Sequence, residues 1–194
     1  VVNLVHANSQ SIDKLMKGKS KQTKTWNSVM STGKTQNSSE KKGNWEKAIL
    51  NMGHMALLRN ISNFEKNGVE FDLYAKKLID GVRSGKQLPF RYYSAFNHVS
   101  LSKNKDLVEE CLELSLKNVA PLKGKTICLS DNSGSATGAF TSSMGTMSVS
   151  GIGNLMSVVT AKISDEGYVG VFGDRLEILP VRKKSSIMDD LAKV

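Results

Sequence analysis

The helical period of this chain stops at Pro121-Leu-Lys-Gly-Lys125, and two different patterns lie on either side. Before it, Trp45, Ile49, Met52, Leu57 and Ile61 fall mostly at three- or four-residue steps, the spacing of one buried helix face. Gly68 closes that region as a C-cap. Residues 70–84 repeat the pattern through Phe71, Tyr74, Leu78 and Val82, up to Gly85. Pro89 opens the next helix, with Phe90, Tyr93, Phe96 and Val99. Asn104 is the expected cap of a fourth, carrying Leu107, Val108, Cys111, Leu112, Leu116 and Val119. Short connections between amphipathic helices predict an antiparallel array. No strict sequence period accompanies it.

After the break the elements change to strands. Residues 125–130 form a short apolar run expected to be a buried strand. Gly167-Tyr-Val-Gly-Val-Phe-Gly173 is a second and Leu176–Val181 a third. Residues 155–163 lie between them as a helix, and Ser185 or Ser186 caps a last one. Strand, helix, strand, strand, helix opens an α/β fold. Roughly seventy residues hold too few strands to finish a sheet. The chain is therefore expected to be a fragment at both ends or a truncated gene product.

The first strand stops in Asp131-Asn-Ser133-Gly-Ser135. One carboxylate and two hydroxyls on one tight loop are oxygen ligands suited to Mg²⁺, Ca²⁺ or Mn²⁺. The crevice beyond strand carboxyl ends is also where open α/β sheets bind ligands. The same residues are good turn formers, since Asp, Asn and Ser bond their own backbone. Both readings stand at this point.

The net charge is +9 over 194 residues. Residues 1–60 carry +7 of it, ten Lys and Arg against three carboxylates. A basic segment of this kind favours a polyanion, most commonly nucleic acid, although a solvated lysine-rich loop has the same composition. Lys17-Gly-Lys-Ser-Lys-Gln-Thr-Lys24 concentrates the charge in an expected loop, Thr25-Trp26 opens a short helix, and residues 31–44 are a second expected loop. No apolar run approaches the ~20 residues of a membrane helix. Val1-Val-Asn-Leu-Val lacks the basic start and long apolar core of a signal peptide. Cys111 and Cys128 read as buried thiols of a reducing compartment, so the expected location is the cytoplasm.

Four stretches together carry a family resemblance. Thr25-Trp-Asn-Ser-Val-Met-Ser, Trp45-Glu-Lys-Ala-Ile, Met55-Ala-Leu-Leu-Arg-Asn-Ile61 and Leu88-Pro-Phe-Arg-Tyr-Tyr-Ser-Ala95 resemble the C-terminal half of the TROVE domain. The continuation from Lys125 resembles the von Willebrand factor A domain that follows it in the Ro autoantigen and bacterial Ro-like proteins. The resemblance implies an α plus α/β chain. Residues 1–120 would be a helical HEAT-like repeat array and residues 124–194 the start of a Rossmann-like A domain. It implies binding of small noncoding (Y-like) RNA on an outer basic surface, and of misfolded RNA 3′ ends through a central hole. It places His6 in RNA binding, beside the lysines Lys17, Lys19, Lys21 and Lys24, although an ordinary surface histidine fits the same position. It makes Asp131, Ser133 and Ser135 the first motif of a metal-ion-dependent adhesion site whose later Thr and Asp have no match here. An RNA nuclease or another protein is the expected partner of the A-like part, and the chain is expected to be a monomer.

Other signals are weaker. Thr32-Gly-Lys-Thr35 lacks the earlier glycine of a phosphate-binding loop, and Gly151-Ile-Gly153 lacks the third glycine of a dinucleotide fingerprint. His54 and His98 sit among apolar neighbours and read as packed or half-exposed histidines. Trp26, Trp45, Tyr92 and Tyr93 have the faces to stack on bases but the spacing of core residues. Arg59 and Arg91 are RNA candidates unless a carboxylate pairs with them. Ser133 beside Asp131 has no nearby His base, so a binding protein is expected rather than an enzyme.

Overall fold

The structure is a computed structural model that describes Trp26, residues 37–139 and residues 147–194. His6, Lys17, Lys19, Lys21 and Lys24 lie outside the described residues. Six helices come first: α1 Ser38–Leu50, α2 His54–Lys66, α3 Asp72–Asp80, α4 Val82–Gly85, α5 Pro89–His98 and α6 Ser102–Leu116. Then follow β1 Leu122–Asp131, α7 Gly134–Gly138, α8 Val149–Ile163, β2 Ser164–Phe172, β3 Leu176–Val181 and α9 Ile187–Leu191. The order is the expected one of helices followed by a mixed α/β unit.

Three local expectations are corrected. The helical run from Trp45 is two helices, and α1 begins at Ser38 inside the expected loop. The chain breaks at Asn51–Gly53, where Met52 turns inward and is 1% exposed. Lys77 donates to the freed carbonyls of Ile49 and Leu50, both at 2.7 Å, so the early end of α1 is satisfied. Asn104 is not a cap. It lies inside α6, fully buried, accepts from the Tyr74 hydroxyl at 2.7 Å and donates to Glu65 at 2.8 Å. Glu65 takes over the cap, accepting the Ser100 and Leu101 N–H groups at 3.0 Å. Gly68 does end α2, with φ +63°.

The sheet has the order β1-β2-β3, with β1 parallel and β3 antiparallel to β2. Strand β1 is not buried on both sides. Ser130 faces α8, and its hydroxyl bonds Asn154. Ile127 and Leu129 point to the other face and are 51% and 58% exposed. Leu176 and Ile178 on β3 join them on that face, converging with them over Gly170. Among the described residues, only one face of the sheet carries a helix layer, which is why an apolar run here is half-exposed.

One apolar core runs from Trp45 through the helices to Leu155, Val158, Val169 and Ile187. Polar contacts pin its far end. Glu109 of α6 accepts from the Ser186 hydroxyl and the Met188 N–H, holding α9 against the helical array. Lys162 of α8 pairs with Asp190 of α9 at 2.8 Å, both nearly buried. Ser186 caps α9 as the sequence predicts, accepting from Asp189 N–H.

Two predictions follow from these ties. Burial raises the Glu65 carboxyl, but bonds from Asn104, Ser100 and Leu101 prevail and hold it below its ordinary value. Its stabilisation is therefore complete above the ordinary glutamate pKa of about 4.3 and fades as pH falls through the lower folded value. Glu65→Gln costs about 2 kcal/mol by urea unfolding at pH 7, and the deficit narrows at acidic pH. Lys162→Met costs about 3 kcal/mol, because Asp190 keeps its charge in a nearly buried site.

Candidate functional site

The described surface has a groove between α2, the α4 turn and α5. Its larger part, about 920 Å³, is lined by Trp26, Arg59, Asn63 and Gln87 among others. A smaller part of about 280 Å³ continues past Arg59 to Arg91 and His98. Helical spacing builds both walls. Met55, Arg59 and Asn63 share one face of α2 while Leu57, Leu58, Ile61 and Phe64 are buried. Arg91, Ser94 and His98 do the same on α5, opposite buried Tyr92.

His54 sets the back of the groove. Its Nδ1 lies 2.9 Å from the Leu78 carbonyl, which only accepts, so Nδ1 carries the proton. Its Nε2, 2.9 Å from the Tyr92 hydroxyl, then accepts from it. The ring therefore ties α2 to the end of α3 and to α5. Gly85 makes room for it: a Cβ there would lie 2.5 Å from the His54 ring. Burial holds His54 below its ordinary pKa, against the Leu78 bond. Burial also raises Tyr92. Both groups are neutral at pH 7 and act as structural parts, not as an acid–base pair.

Among the described residues the charge of the groove is one-signed, and no described Asp or Glu lines either part. Arg91 stacks over the Phe90 ring at 5.2 Å. Neither Arg59 nor Arg91 forms an ion pair among the described residues. Amide capacity is also left over. Asn63 gives one side-chain N–H to the Asn60 side-chain oxygen Oδ1, and Gln87 gives one to the Gly85 carbonyl. Among the described residues each keeps its side-chain oxygen and a second N–H without a partner. A groove lined by guanidiniums, amides and one indole suits an anionic ligand with polar, flat parts. Trp45 and Tyr92 are buried in the core, whereas half-buried Trp26 packs on the core and lines the groove. The sequence reading missed Asn63 and Gln87. Asn63 was signalled by its step of four from Arg59 on the face opposite Leu57 and Ile61.

Asp131, Ser133 and Ser135 lie on one tight loop. The loop sits between the carboxyl end of β1 and α7. Asp131 Oδ1 accepts the Ser133 N–H at 2.8 Å, and the Ser133 and Ser135 hydroxyls are 3.1 Å apart. The Ser133 N–H is the main cause holding the Asp131 carboxyl below its ordinary range. This is the turn chemistry of the sequence reading. As a cation site it has the right donor type but one carboxylate, and no group of three or more His, Cys, Asp or Glu that could hold a metal occurs among the described residues. No helix among the described residues is long and apolar enough to cross a membrane.

Lowered His54 predicts a pH dependence. The unfolded chain binds the proton more readily, so stability is full above about pH 6.5 and falls as pH drops toward the lower folded value. The melting temperature of the wild type is expected to rise between pH 5 and 7. That rise shrinks in His54→Gln.

Comparison with family models and with curated proteins gave no match. Among solved structures, the crystal structure of the Ro (RSR) protein of Deinococcus radiodurans matches with a TM-score of 0.59 at 18% identity. The match covers 77% of this chain and 35% of that one. The chain thus shares the fold of about a third of that protein's length.

Proposed function

We propose that this chain is an RNA-binding protein of Ro type, taking small noncoding RNA and the 3′ ends of misfolded RNA in ribonucleoprotein quality control. The observation that carries this reading is the groove that holds two guanidiniums, Arg59 and Arg91, with no carboxylate on its walls and no ion pair to either among the described residues. Its likeness in fold to a Ro protein supports it. So does the basic first third of the sequence, with His6, Lys17, Lys19, Lys21 and Lys24 as further phosphate contacts. On this reading the six helices belong to a HEAT-like array and the three-stranded unit to an A-like domain. The function is binding in the cytoplasm, without catalysis. Phosphates meet the arginines, and bases meet the amides and the indole.

A cation at the A-like part would be held by Asp131, Ser133 and Ser135, with water or a partner's carboxylate completing the shell. What it would supply there is a bridge to a protein partner such as a nuclease. The donor set is thin, and RNA binding in the groove does not depend on it.

Two phosphates neutralised on a single strand give a salt slope of about −1.4, so affinity for a 3′-tailed RNA falls by roughly sevenfold between about 50 and 200 mM salt, and further with each added lysine contact. Replacing both Arg59 and Arg91 by Gln removes about 1.4 from that slope, read by fluorescence anisotropy. Unchanged slope in the double variant contradicts the groove as the RNA site. Chelation with EDTA leaves the affinity for an unstructured single-stranded RNA unchanged.

A further inference from the structure

A second cavity lies away from the groove, where the helical array meets the α/β unit. It measures about 540 Å³ and opens between the end of α6, the end of α8 and the turn from β3 to α9. Its walls are aliphatic: Leu116 ends α6, Val119 follows it, Ile163 ends α8 and Ile187 starts α9. Val119 is 51% exposed although it lines a concave surface. Lys117 follows α6 on one side, and Lys183 and Lys184 stand on the β3–α9 turn. Lys162 is already neutralised by Asp190 and donates to the Arg182 and Ser185 carbonyls. The other three lysines are not held in this way. Lys183 reaches only the exposed Asp165, at 4.0 Å, a pair of little worth in water. Lys117 and Lys184 form no ion pair among the described residues, and Glu113 is the single described carboxylate of the lining.

We infer that this cavity docks a peptide segment of a partner protein in which aliphatic side chains are flanked by carboxylates. The aliphatic side chains enter against Leu116, Val119 and Ile163. The carboxylates meet Lys117 on one element and Lys183 and Lys184 on another. Other ligand classes use less of the lining. RNA recognition uses aromatic faces and guanidiniums, and neither lines this cavity among the described residues. An anionic lipid carries its charge at one end, whereas the lysines stand on two separate elements. A basic peptide meets like charge. Burial of the aliphatic pair supplies affinity, and the lysines supply orientation and association rate. The place is distinct from the Asp131 loop, which follows the carboxyl end of β1, whereas Pro121 leads into its amino end. Docking here needs neither a cation nor RNA, so it stands apart from the RNA-binding reading.

The test probes the full chain with a peptide array in which pairs of Leu, Ile, Val or Met are flanked on both sides by Asp or Glu. Matched arrays carry Asn and Gln in place of the acids, or Ser in place of the aliphatic pair. Acid-flanked aliphatic peptides are expected to bind, and both matched arrays to fail. The best peptide is then measured by fluorescence anisotropy, with and without EDTA, and chelation leaves its affinity unchanged. Lys117→Glu combined with Lys184→Glu lowers that affinity at least about tenfold, and so does Val119→Asp at its exposed position. Both keep the wild-type circular dichroism spectrum. Lys41→Glu combined with Lys47→Glu, exposed on α1, makes the same change of net charge and keeps full affinity. An acid-flanked array that binds no better than its amide counterpart overturns the inference. So does an equal loss in the α1 variant, which reduces the effect to net charge, or a single-stranded RNA that displaces the peptide and loses affinity with Lys117→Glu and Lys184→Glu, which makes the cavity part of an RNA surface. Failure of peptide binding leaves RNA binding in the groove intact, and failure of RNA binding leaves the peptide site intact.

Discussion

The groove depends on one buried histidine. His54 spans three elements, from its own place at the start of α2 to the Leu78 carbonyl of α3 and the Tyr92 hydroxyl of α5. A neutral imidazole with one donor and one acceptor nitrogen fits that bridge, and an imidazolium does not fit it as well. Gly81 and Gly85 let the chain pass against the ring. Because the ring fixes where α2 and α5 lie, it also fixes where Arg59 and Arg91 face. The polar surface is set by a buried contact at the back of the groove.

The same logic governs the rest of the chain. Carboxylates that might have neutralised the groove are used elsewhere as internal ties. Glu65 caps α6, Glu109 holds α9, and Asp190 receives Lys162 and Lys193. Each satisfies backbone or lysine groups at a junction between elements. The outcome is a separation of charge in which these three carboxylates hold the fold, and Arg59 and Arg91 form no ion pair among the described residues.

Much of this was legible in the sequence where the signal is local. Pro89 at the start of α5, Gly68 after α2, Ser186 before α9 and the strand Leu176–Val181 all stand where their chemistry put them. The start of α1 was hidden because Ser38-Ser-Glu-Lys-Lys-Gly43 has no apolar face. Those residues are helical through the anchoring of Trp45, Ala48 and Ile49 in the core. The break at Met52 was hidden because a buried methionine suits a turn and a helix equally. Asn104 looked like a cap, and only Tyr74 and Glu65, thirty or more residues away, show why it is buried. Arg59 and Arg91 were nameable as candidates. That they share one groove, with Asn63 and Gln87, follows from a contact between His54 and Tyr92 at a separation of 38 residues, which no periodicity displays. The Asp131 loop was read both as turn and as cation site, and its bonds within the loop are those of the turn.

The measurement that tests the central claim most directly is photo-crosslinking of a single-stranded RNA to the full chain, with the crosslinked peptides identified by mass spectrometry. Crosslinks on residues 54–63 and 87–98, at the facing walls of α2 and α5, are the expected result. Crosslinks confined to the Asp131 loop and the sheet, with none on either wall, would contradict it.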